Sequence, residues 1–144
     1  MADILPSIAG WLEPLGIIAG LVFSGVALRN DVRSRKLESF TKIAEGHREI
    51  WSALLKDPSL ERIRHDQVDL ELFPITPVEN RLVRSILHHV LLTFEARASK
   101  QIGDIGDFDR DVREFLARPI PRQVWSEIAH FQPARFRRFI EALL

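Results

Sequence analysis

Cysteine is absent from this sequence, which excludes disulfide bonds, thiolate metal sites and a cysteine nucleophile. An excess of either charge is also absent, because twenty Lys and Arg residues balance twenty Asp and Glu residues. This balance gives no indication of a nucleic-acid partner or an acidic substrate. The length of 144 residues and the hydrophobic fraction of 46% predict one folded unit with a modest core, without a separate catalytic domain.

Recognisable catalytic and cofactor motifs are missing as well. The chain contains no HExxH, no GxSxG, no GxGxxG and no GxxxxGK[ST]. His88 and His89 are adjacent, so on a helix they point about 100° apart and cannot bind one ion as residues four apart do. We therefore predict no catalytic residue, no cofactor and no metal ligand.

Basic residues are absent from the first 28 positions, where Asp3 and Glu13 are the only charged side chains. The apolar stretch 8–28 is long enough to cross a bilayer, which takes about 20 helical residues, if Glu13 lies near the interface. We predict a membrane anchor in residues 1–28, with the span at about 8–28, and a helical domain in residues 29–144. A buried helix of a soluble bundle is the alternative for the same stretch.

A basic cluster follows the predicted span directly: Arg29, Arg33, Arg35 and Lys36. Because basic residues flank membrane helices mostly on the cytoplasmic side, the C-terminal domain is expected in the cytoplasm. The predicted location is therefore the inner membrane, with a single pass. A cleaved signal peptide is disfavoured, since such peptides begin with a basic region.

Gly16, Gly20 and Ser24 recur at intervals of four and so share one helix face. Small residues at this spacing let a second membrane helix approach closely. This helix-packing face predicts a homo-oligomer or contact with another membrane protein, in addition to the lipid bilayer.

The remaining sequence predicts helices only. Apolar residues at three- and four-residue steps predict a helix that ends near Lys56, and Trp51 in this stripe is expected in a core with Trp125. Thr76, Pro77 and Glu79 form a capping-box pattern that starts a central helix over about 77–101. Prolines and glycines separate further helices: one capped by Asp107 or Asp109 and ending near Ala117, one that starts at Pro119 and Pro121 and runs through Trp125, and one over 134–144. The predicted fold class is all-α: one N-terminal transmembrane helix followed by a small helical bundle.

Polar residues near the apolar faces of the first and central helices are the candidates for a buried polar cluster: Glu45, His47, Arg48, Glu49, His89, Glu95 and Arg97. Buried charges need partners of opposite charge, so such a cluster is more often architectural than catalytic.

The segment from Phe40 to Trp51, followed by Leu54, Leu55, Asp57, Pro58 and Leu60, resembles a group of small bacterial proteins of unknown function. These proteins have one N-terminal membrane helix followed by a helical domain. The tail is similar too, in Pro119, Trp125, Phe136, Phe139, Ile140 and Glu141. The resemblance implies this architecture and assigns no activity or catalytic residue.

The leading hypothesis is a membrane-anchored, non-enzymatic interaction module that self-associates. One alternative is an accessory subunit of a larger membrane complex. The other is a small enzyme or ligand sensor that uses the polar residues between the helices. A cavity at which Arg97, His89 and Glu45 or Glu49 converge would favour the enzyme or sensor.

Overall fold

The computed structural model describes the backbone of residues 5–103 and 106–144, and the side chains of residues 20–103 and 106–144. Every regular element in these ranges is a helix, so the all-α prediction is confirmed. The α-helices are α1 (Leu5–Lys56), α2 (Pro77–Ala98), α3 (Phe108–Leu116), α4 (Pro119–Ile128) and α5 (Ala134–Leu143). Two short 3₁₀ helices complete the list, the first at Pro58–Arg64 and the second at Ala129–Phe131.

The chain divides into two compact units, Met1–Glu38 and Ser39–Leu144. The sequence-based boundary lies earlier, between residues 28 and 29. Helix α1 contributes residues to both units, and its helical backbone is unbroken at either position. In the first unit, every side chain that the structure describes, over residues 20–38, is exposed.

Local chemistry explains where the helices begin. Asp57 caps the first 3₁₀ helix by accepting a hydrogen bond from the backbone N–H of Ser59. At the start of α2, the Thr76 side chain accepts from the N–H of Glu79, and the Glu79 carboxylate accepts from the N–H of Thr76. This is the capping box that the sequence predicts, with Pro77 at the first helical position.

The core of the second unit lies between α2, α3, α4 and α5. Phe136 of α5 is fully buried at its centre. Its ring centroid lies 5.8 Å from that of Trp125 in an edge-on arrangement and 5.6 Å from that of Phe94. Such aromatic pairs add to the free energy gained by burying the rings. The prediction of Trp125 as a core residue is therefore confirmed.

A buried ion pair joins the first 3₁₀ helix to α2. The Glu79 side chain is 3% exposed and accepts hydrogen bonds from Nε of Arg62 at 2.9 Å and from Nη2 at 3.2 Å. The same Nη2 also donates to the carbonyl oxygens of Phe73 and Pro74. Arg62 therefore ties the connection before α2 to the start of that helix.

The side of residues 39–56 of α1 that packs on the bundle is not the side that the apolar stripe of the sequence predicts. Ile43, Gly46 and Ile50 are half-buried, and no residue of α1 whose side chain is described is fully buried. Phe40 and Trp51 are 54% and 40% exposed. The expectation that Trp51 lies in the core is thus wrong, because the apolar arc of α1 is wider than the side that packs on the bundle.

Within the part of the chain that the structure describes, no helix is long and apolar enough to cross a membrane. The transmembrane part of the predicted fold class is therefore not supported. Residues 8–19, which make up the first half of the predicted span, lie outside the residues whose side chains are described.

The two tryptophans of the second unit should respond differently to truncation. Trp125→Ala should lower the free energy of unfolding by about 3–5 kcal/mol, the usual cost of deleting a buried large aromatic. Trp51→Ala should cost less, about 1–2 kcal/mol, because the indole is already 40% exposed and loses only its partial burial, its hydrogen bond to His47 and its contact with Arg64. Urea unfolding followed by far-UV circular dichroism measures both. Equal losses would contradict this account of the core.

Removing the Glu79 carboxylate should be costly. Glu79→Ala leaves Arg62 without its counter-ion and the N–H of Thr76 without its acceptor. We therefore expect the free energy of unfolding to fall by about 3 kcal/mol. This is the low end of the range for broken buried ion pairs, because Arg62 is partly exposed. The matched control is Glu127→Ala, whose carboxylate is exposed and 4.0 Å from Arg84, with an expected loss below about 1 kcal/mol. Similar urea midpoints for the two variants would show that the buried pair is not important for stability.

Candidate functional site

The described residues of the first unit present an exposed apolar surface on α1. Five apolar side chains between positions 20 and 28 are exposed, from 54% for Val26 to 75% for Phe23. They are Leu21, Val22, Phe23, Val26 and Leu28. At 100° per residue, consecutive positions 21, 22 and 23 already point to three different sides of the helix. An apolar surface that surrounds a helix is typical of a segment covered on all sides.

The small-residue face lies within this surface. Gly20 and Ser24 are one turn apart and exposed, and a Cβ atom built at Gly20 would have no atom within 4 Å. The face is therefore open to close approach by another helix. Gly16, the third residue of the predicted face, lies outside the residues whose side chains are described.

The basic cluster after the apolar surface is exposed along α1. Arg29, Arg33, Arg35 and Lys36 are all at exposed positions. Nε of Arg35 donates a hydrogen bond to Asp31 at 2.9 Å, one helical turn earlier. Exposed pairs of this kind contribute little to stability, so the cluster is available to interact with other molecules.

The seven residues of the predicted polar cluster do not gather into one buried site. Five of them are exposed: Glu45, His47, Arg48, Glu49 and Glu95. The physical reason is the orientation of α1, which turns Gly46 and Ile50 towards α2. The expectation of a buried cluster is corrected accordingly.

Arg97 belongs to a different contact. Its Nη1 donates to Oδ1 of Asp109 at 2.6 Å, and its guanidinium lies 5.0 Å from the ring centroid of Phe108. Asp109 and Phe108 are at the start of α3, after the loop that follows α2. Sequence reasoning missed this partner because it considered carboxylates on α1 and α2 only. An acidic residue in the first turn of the next helix is the signal that could have indicated it.

The two remaining candidates, His47 and His89, do come together. Their ring centroids are 6.0 Å apart, and Nε1 of Trp51 donates to Nε2 of His47 at 2.8 Å. A Cβ atom at Gly46 would lie 3.0 Å from Nδ1 of His89, so a glycine is what allows α1 to approach this ring. We call His47, Trp51, Gly46 and His89 the histidine contact. A glycine in a helix interior, facing the bundle, is the signal that sequence reasoning overlooked.

Burial lowers the pKa of His89, and the neighbouring His47 and His88 lower that pKa further. Each unit of such a shift corresponds to a factor of ten between the protonation states. The neutral imidazole is therefore favoured at position 89 in the folded chain.

An open groove of about 230 Å³ runs beside the histidine contact between α1 and α2. Its apolar lining residues are Ile50, Ala53, Leu82 and Leu92, and its polar ones are Glu49, Ser85, His88 and His89. Among the described residues, no group of three or more His, Asp or Glu side chains could hold a metal ion. The groove thus offers polar contacts without a metal centre in the described part of the chain.

Comparisons of the chain with protein-family models, with curated proteins and with solved structures found no match. The resemblance to small bacterial membrane-anchored proteins therefore stays a prediction.

Proposed function

We propose that this chain is a membrane-anchored, non-enzymatic interaction module that self-associates through the N-terminal part of α1. The observation that carries the proposal is the exposed apolar surface of residues 20–28. Fully covering a Leu, Val or Phe side chain gains about 1.5–3 kcal/mol, so covering these partly exposed side chains is worth on the order of 5–10 kcal/mol. Such a surface is stable only when a bilayer or another protein covers it.

The sequence supports the bilayer as the first cover. Residues 8–19 continue the apolar composition towards the N-terminus, and a helix over 8–28 is about 30 Å long at 1.5 Å per residue. That length matches the hydrocarbon core of a membrane. The exposed basic residues from Arg29 to Lys36 would then lie next to the headgroups of the cytoplasmic leaflet.

Self-association is supported by the open face at Gly20 and Ser24. Lipid chains are as apolar as leucine, so membrane helices associate through close packing at small residues rather than through the hydrophobic effect. An accessory subunit would use the same face to contact a different helix. The two hypotheses differ only in the partner, and the crosslinked species distinguishes them.

The enzyme or sensor hypothesis has less support. It requires Arg97, His89 and an α1 carboxylate to converge on one cavity. Instead Arg97 bonds Asp109, whereas His89 contacts Gly46 and lines the groove with Glu49. We therefore keep the interaction module as the proposal.

Gly20→Ile tests the packing face. A branched side chain at this position keeps a second backbone away, so the yield of crosslinked dimer in carbonate-washed membranes should fall about tenfold or more, equivalent to a loss of at least ~1.4 kcal/mol of association free energy. Leu21→Ile is the matched control, because it keeps volume and hydrophobicity on a neighbouring face. Both variants should stay in the washed membranes, since Ile is at least as favourable as Gly in hydrocarbon.

Each outcome of this experiment is informative. Equal dimer yields for the wild type and Gly20→Ile would remove the self-association claim. Loss of a crosslink to a different protein would favour the accessory subunit. Recovery of the wild-type chain in the soluble fraction would remove the anchor.

A further inference from the structure

Residues 39–53 of α1 lie beside α2 at the edge of the bundle, and none of their side chains belongs to the core. The closest approach is at Gly46, where the backbone of α1 lies against the His89 ring. The neighbours of Gly46 along the same side, Ile43 and Ile50, are only half-buried. Ile43 and Ile50 are not part of the core around Phe136 and Val83, whereas Leu54, near the end of α1, packs against that core as a partly buried side chain. The part of α1 before Leu54 can therefore separate from α2 at lower cost than the core can open.

The hydrogen bond from Trp51 requires a neutral His47. An indole N–H is a donor only, so Nε2 of His47 must carry a lone pair, and the imidazole proton must be on Nδ1. Protonation of Nε2 removes this bond. A positive charge at position 47 thus weakens the contact through the loss of this hydrogen bond. Arg64 lies on the other partner of the bond, with its guanidinium 5.5 Å from the Trp51 ring centroid.

His89 is sensitive to the same change. Its ring is partly buried against Gly46 and faces His47 at 6.0 Å, while His88 adds a second titratable ring on α2. Two imidazolium ions at this separation repel each other, and burial disfavours the charged form. Glu49, which lines the groove with His88 and His89, favours the charged form. The burial and the two histidines outweigh it, because the pKa of His89 is lowered.

We propose that the histidine contact is a pH-sensitive latch that holds residues 39–53 of α1 against α2 while the imidazole of His89 is neutral and releases them when that ring is protonated. The sign follows from linkage. A lowered pKa in the closed state means that the closed state binds fewer protons than the open one. The contribution of the latch is therefore complete above the ordinary histidine pKa of about 6.5 and is lost as the pH falls below that value towards the lowered pKa of the closed state.

Hydrogen exchange on the full chain in mild detergent tests the latch. Protection factors, which already correct for the intrinsic pH dependence of exchange, are compared at pH 7.5 and 5.5. For residues 43–53 we expect protection to fall about tenfold per unit of pKa difference between the open and closed states, with the decrease beginning as the pH drops below about 6.5. The amides of α2 and α5 should keep their protection. Unchanged protection of residues 43–53, or a decrease that begins only near pH 4, where carboxylates titrate, would overturn the proposal.

Variants separate the latch from general acid destabilisation. Gly46→Ile places a side chain against His89 and should open the segment at both pH values while α2 stays protected. The double variant H47Q/H89Q cannot gain charge, so the ratio of its protection at the two pH values should be close to one, whether the segment is closed or already open. His130→Gln, on the second 3₁₀ helix, is the matched control and should respond to pH like the wild type. If the double variant still loses protection at pH 5.5, the assignment to these two histidines would be contradicted.

Discussion

The ion pair between Arg62 and Glu79 fixes the relative position of three segments on which the second unit depends. A buried carboxylate is stable only when hydrogen-bond donors and an opposite charge surround it. Arg62 provides the opposite charge and two hydrogen bonds to Glu79, and the N–H of Thr76 donates a third. Nη2 of Arg62, which donates to Glu79, also donates to the carbonyl oxygens of Phe73 and Pro74. The first 3₁₀ helix, the connection after it and the start of α2 are thereby held together. Helix α2 then provides the surface on which α4 packs.

Helix α1 obeys a different constraint, because none of its described side chains is fully buried. Over residues 39–56 it lies beside α2 at Gly46 and Ile50 and packs Leu54 against the core, and the proposed latch makes the contact at Gly46 dependent on a neutral imidazole at His89. Over residues 20–28 its apolar side chains are exposed on all sides. In both segments, α1 exposes apolar side chains to solvent. An exposed apolar surface of this size is typical of a site that binds a membrane or another protein.

Sequence reasoning predicted the features that depend on local chemistry. The capping box at Thr76 and Glu79, the end of α1 near Lys56 and the start of α4 at Pro119 are all confirmed, because caps and prolines act over one helical turn. It did not predict that Glu79 also binds Arg62. That contact joins residues seventeen positions apart and depends on how the connection between them folds.

The candidate site was harder to predict for a related reason. Apolar periodicity gives the width of a stripe but not which part of it packs, so Trp51 was expected in the core and is instead 40% exposed. The pairing of His47 with His89 depends on the close approach at Gly46, whose missing side chain is informative only once the helices are placed. The partner of Arg97 likewise lies on another helix.

The central claim, that the N-terminal part of α1 anchors the chain in a membrane, is tested most directly by labelling single cysteines introduced at Ser7 and at Ser34 in a chain that has no cysteine of its own. A membrane-impermeant thiol reagent added to intact cells should label position 7 and leave position 34 protected until the membrane is opened. Protection of both positions in intact cells, or release of the chain from lysed cells without detergent, would contradict the account.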